Sequence, residues 1–72
     1  MNDRINELIT DTENLAERVQ DVAYDELREA VDKGATKRPE SDRHLQAALR
    51  AIKKAVGSLE KAAASESSLD SI

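Results

Sequence analysis

Apolar residues recur along this chain at spacings of three and four. Between His44 and Ala64 they stand at Leu45, Leu49, Ile52, Val56, Leu59 and Ala63. Between Asp3 and Lys33 they stand at Ile5, Leu8, Ile9, Leu15, Ala16, Val19, Val22, Ala23, Leu27, Ala30 and Val31. An α-helix turns once in about 3.6 residues, so such spacing gathers apolar side chains on one face. The pattern predicts two amphipathic helices, residues 3–33 and 41–64, separated by a loop at 34–40.

The punctuation agrees. Asn2 or Asp3 suits the start of the first helix, and Gly34, directly after Lys33, suits the left-handed residue that closes it. The stretch GATKRPESD collects the only Pro, and the second helix starts at about Pro39 or Ser41, with Ser41 suited to a cap and acids in the first turn. One weak point lies at Thr10-Asp11-Thr12-Glu13, where poor helix formers coincide with a capping-box pattern, so a late start or a kink is compatible with the sequence. Residues 65–72, SESSLDSI, lose the periodicity and read as a flexible Ser-rich tail.

At about 1.5 Å per residue the helices would be roughly 46 and 37 Å long, comparable enough to lie side by side. The expected fold class is therefore all-α, a helical hairpin of two antiparallel amphipathic helices. On the second helix, Leu45, Leu49, Ile52, Val56 and Leu59 form a seam with coiled-coil spacing, flanked by Ala48, Ala55 and Ala62, then by Ala47, Ala51 and Ser58. Small residues let another backbone approach closely, although Ala is also simply the best helix former. A lone hairpin covers each apolar face from one side only. The chain is thus expected to dimerise into an antiparallel four-helix bundle. Leu8, Leu15, Val19, Val22, Leu27, Leu45, Leu49, Ile52, Val56 and Leu59 would be its core and interface. The rival is a hairpin completed by a helix from another protein.

Length sharpens that expectation. A chain of 72 residues holds one domain, and a core of this size supplies roughly 3–5 kcal/mol without a staple or a partner. No cysteine is present and His44 is the only histidine, so disulfides and thiolate zinc sites are excluded and no metal or cofactor is expected. One Tyr, no Trp and no Phe, with abundant Ala, Glu, Leu, Arg and Lys, describe helix and argue against a β-rich fold. There is no apolar run near the roughly 18 residues of a membrane span, and MNDRINELITDTENL holds no signal-peptide core, so a cytoplasmic location and no membrane contact are expected.

Charge is unevenly spread. Residues 1–33 carry ten acids and four bases, a net of −6, whereas 34–72 carry five acids and seven bases, a net of +2. Opposed signs favour the helices lying together. On the first helix Glu7, Asp11, Asp21, Asp25, Glu29 and Asp32 fall opposite the apolar face, where like charges four apart cost a few tenths of a kcal/mol each. Tyr24, the sole aromatic, lies at the edge of that face. Asp21, Tyr24, Asp25 and Glu29 are the candidates for binding a protein partner, against the plainer reading of a solvated face with Glu29–Lys33 and Asp25–Arg28 pairs. Arg43, Arg50, Lys54 and Lys61 form a basic stripe on the second helix, near Lys37 and Arg38, and are the candidates for phosphate contacts. Nothing there reads bases or stacks on them, and Asp42 and Glu60 dilute the stripe. Gly57, near the same face, reads as a kink or as an incidental weak point.

Catalysis has little to work with. His44 has no nucleophile beside it, a straight acidic stripe spreads metal ligands apart, and no Gly-rich phosphate loop occurs. The C-terminal Asp70-Ser71-Ile72 offers a carboxylate that a groove could hold. The leading expectation is a non-enzymatic protein-protein interaction module, a small regulator, adaptor or chaperone-like protein acting through helical surfaces as a homodimer. The alternatives are a nucleic-acid-binding hairpin dimer using the basic stripe, or an acidic decoy using the stripe of the first helix.

Overall fold

The computed structural model describes residues 3–70 as two helices, α1 (Asp3–Asp32) and α2 (Glu40–Asp70), packed against each other as an all-α hairpin. Among the described residues there is no strand, and no helix is long and apolar enough to cross a membrane.

Local chemistry explains each end. At the close of α1 the Gly34 N–H donates to the Val31 carbonyl and the Ala35 N–H to the Ala30 carbonyl, both at 2.9 Å. This is the paired closure that requires a left-handed residue, and Gly34 supplies it with φ of +85°. The start of α2 falls between the expected Pro39 and Ser41, and its cap differs from the expected one. Ser41 is not the cap, because the helix already begins at Glu40 and the Pro39 carbonyl accepts from the Asp42 N–H at 3.0 Å. Proline fits this position because its fixed φ suits a helix start and its missing N–H would have had no partner there.

α1 runs unbroken through Thr10–Glu13. The Thr12 hydroxyl donates back to the Leu8 carbonyl at 2.6 Å, so a polar side chain facing α2 is satisfied within its own helix. The boundary expected at Ala64 is also corrected. α2 continues to Asp70, so residues 65–70 of the expected tail are helical, and residues 71 and 72 lie outside the described residues. No Gly or Pro interrupts that stretch, and helix continues where nothing breaks it.

The seam between the helices has heptad spacing. α1 turns Ile5, Ile9, Thr12, Ala16, Val19, Ala23 and Ala30 inward; α2 turns Asp42, Leu45, Leu49, Ile52, Val56, Leu59 and Ala63. Ala16, Ala23 and Ala30 sit seven apart on α1, which lets the backbone of α2 approach. Of the seam apolars only Ala23 and Leu49 are buried, at 4% and 7% exposure. The Cα trace measures 61 × 16 × 9 Å, one helix thick and two wide. Such a slab has no interior in its thin direction. Its accessible surface is 5806 Å², whereas a compact monomer of 7.9 kDa would expose roughly 4400 Å².

Candidate interaction surface

The ten residues expected in the core divide into two groups. Val19, Leu45, Leu49, Ile52, Val56 and Leu59 of the seam, with Leu27 beside it, are half-buried or buried. Leu8, Leu15 and Val22 are not, being 50%, 45% and 48% exposed. In heptad terms these three stand one place before Ile9, Ala16 and Ala23, so they flank the seam and do not fill it.

The two flanks of the hairpin differ. Glu13 and Lys53 line one shallow depression over Ala16 and Val56, which places them on a common flank. Following the heptad along each helix, that flank carries Asn6, Glu13, Gln20 and, nearest the loop, Leu27 from α1 with Gln46, Lys53 and Glu60 from α2, all polar but Leu27. By the same geometry, the opposite flank carries Leu8, Leu15 and Val22 with Ala48, Ala55 and Ala62. All six are exposed. The hairpin therefore has one wet edge and one dry edge.

A second apolar feature sits near the loop. Tyr24, Leu27 and Val31 recur at three and four along α1 and line a depression with Arg28 and Asp32. Tyr24 is 63% and Val31 69% exposed in the single hairpin. Asp21, Asp25 and Glu29 are exposed around it. Of these, Glu29 pairs with Lys33 at 3.9 Å, between two largely exposed side chains. A pair of that kind contributes at most a few tenths of a kcal/mol.

The basic candidates Arg43, Arg50, Lys54 and Lys61 are all exposed on the outer side of α2. Arg43 is engaged by Glu40 at 3.2 Å, one helical turn earlier. His44 is exposed as well, and among the described residues no group of three His, Cys, Asp or Glu side chains could hold a metal ion.

One residue escaped the sequence reading. Asp42, which the charge pattern places among the surface acids, is buried at 3% exposure and accepts from Arg38 Nη1 at 2.9 Å. The signal was present, since Asp42 lies three before Leu45 and seven before Leu49, in the row that faces α1. Comparison of the chain with protein-family models, with curated proteins and with solved structures finds no match.

Proposed function

We propose that this chain is a non-enzymatic interaction module that pairs with itself into a four-helix bundle and engages a protein partner through its helical surface. One observation carries the reading. Among the described residues five large apolar side chains, Leu8, Leu15, Val22, Tyr24 and Val31, stay exposed, while only Ala23 and Leu49 are buried apolar residues. Apolar surface left in water at about 25 cal/mol per Å² is a standing drive toward association.

The exposed set falls into two places, which suits two contacts. The dry edge spans Leu8 to Val22 on α1 and Ala48 to Ala62 on α2, ending toward the loop at Glu29 and Ser41, and fits self-association. Tyr24 and Val31, set among Asp21, Asp25, Glu29 and Asp32, fit a partner that presents an apolar side chain with basic neighbours. A regulator or adaptor would work in this way, holding its partner by a few anchors on a rigid helix.

Light scattering over a wide concentration range, with circular dichroism on the same samples, tests the proposal. A mass of twice 7.9 kDa with high helicity supports it. A poorly helical monomer would mean that the hairpin is completed by another protein and would remove self-pairing from the reading.

A further inference from the structure

We infer that two copies join through the dry edge in one particular arrangement: α1 of each copy lies antiparallel on α2 of the other, so that Leu8, Leu15 and Val22 of one chain seat over Ala62, Ala55 and Ala48 of its partner. This rests on the proposed self-association and adds the surface and the orientation.

Area comes first. The chain exposes roughly 1400 Å² more than a compact monomer of its mass would, against about 800 Å² per partner in a standard stable interface. The occupant of the edge must also be long and straight. A second copy meets that demand, because the edge extends from Leu8 to Val22 on one helix and from Ala48 to Ala62 on the other.

Shape then chooses the arrangement. Both rows repeat every seven residues, one large and one small. The depression lined by Glu13, Asn14, Ala16 and Glu17 of α1 and by Lys53 and Val56 of α2 sets the level of the helices, being centred near residue 15 on one and between residues 54 and 55 on the other, and Leu15 accordingly stands close to the level of Ala55. Moving seven residues toward the loop on both helices brings Val22 level with Ala48; moving away brings Leu8 level with Ala62. A two-fold axis parallel to the helices preserves these levels and exchanges the helices, so each large side chain meets a small one. The other face-to-face two-fold, perpendicular to the helices, stacks α1 on α1 and α2 on α2. Large would then meet large along one half of the interface and Ala would meet Ala along the other, leaving a gap.

Charge makes the same choice independently. α1 carries ten acids and three bases, a net of −7, whereas α2 carries five of each and is neutral. Placing α1 on the partner's α2 keeps the two acidic helices apart, whereas α1 on α1 would crowd them together.

The chain has no cysteine, which makes the test direct. Leu15→Cys and Ala55→Cys are made in separate chains, mixed, oxidised and separated under non-reducing conditions, with light scattering on the unoxidised proteins. Because a disulfide requires Cα atoms within about 7 Å, position 15 bonds only what it faces. The expected result is a dimer in which the mixed 15–55 disulfide dominates and neither variant alone cross-links efficiently. A dimer in which Leu15→Cys cross-links with itself overturns the orientation and leaves self-association standing. A dimer with no cross-link, or one whose mass is unchanged by Leu15→Asp, overturns the dry edge as the interface. A monomer at every concentration removes the self-association itself.

Discussion

Arg38 and Asp42 are joined by a hydrogen bond of 2.9 Å in which the donor stands in water and the acceptor does not: the Arg38 side chain is 71% exposed, that of Asp42 only 5%. The other oxygen, Asp42 Oδ1, is buried with no hydrogen-bond partner. An acid three residues into a helix commonly reaches back to the N–H of the cap. Here the cap is Pro39, which has none, and the reciprocal bond cannot form.

That geometry makes the two partners unequal. Arg38→Ala leaves a buried carboxylate without its charged donor and should cost about 1–2 kcal/mol, since water replaces part of so exposed a guanidinium. Asp42→Ala removes the burdened group together with its bond and should cost less, in spite of losing a favourable charge in the first turn. Urea unfolding of both variants measures the difference. If Asp42→Ala proves the more damaging, Oδ1 has a partner that the geometry does not show.

The two glycines should respond in opposite directions to the same change. Gly57 lies inside α2 with nothing within 4 Å of where a Cβ would stand, so Gly57→Ala should stabilise the chain by up to about 1 kcal/mol. Gly34 also has open space around it, but its φ of +85° is one that an L side chain rarely adopts. Gly34→Ala should therefore cost about 1 kcal/mol for backbone reasons alone. In a chain of this size each kcal/mol moves the melting temperature by about 4–8 °C, which places the two variants on opposite sides of the parent in a thermal melt.

Gly34 shows what was legible in the sequence, because the left-handed closure of a helix depends on one residue type at one position. The seam of α2 was legible for a similar reason, being a single row of large residues at Leu45, Leu49, Ile52, Val56 and Leu59. On α1 two rows compete. Leu8, Leu15 and Val22 are larger and look more like a core than Ile9, Ala16 and Ala23. The larger row stands about 100° round from Ile9, Ala16 and Ala23 but only about 40° from the other seam row, Thr12 and Val19, so hydropathy alone does not choose between them. Close approach of α2 decides the matter, and the small row admits it. The end of α2 was illegible for the opposite reason: no seam residue and no breaker marks it, and continuation to Asp70 depends on backbone propensity.

On the acidic face, Asp21, Asp25 and Glu29 are exposed and stand four apart, so Asp25→Lys turns two repulsions into two attractions at the loss of one favourable pairing with Arg28. The net gain should be a few tenths of a kcal/mol, present at low salt and faded at high salt. Denaturant midpoints at two ionic strengths read it. A clear loss of stability instead would show that Asp25 is held by the fold. With the fold intact, the same variant separates a partner-binding role of this face from a structural one.

Leu49 offers the strongest contrast with the dry edge. It is 7% exposed and sits near the middle of the seam, so Leu49→Ala should cost roughly 2–5 kcal/mol. A small helical chain has little more than that to lose. Leu49→Asp, which adds a buried charge with no partner, should abolish both assembly and most of the helicity in circular dichroism. Leu15→Ala, at a position 45% exposed in the single hairpin, should act differently. It should weaken association while leaving the dilute chain as helical as the parent, and the dependence of its melting temperature on concentration should shift accordingly. Equal loss of helicity from Leu15→Ala and Leu49→Ala would place both residues in one core and erase the distinction between seam and edge.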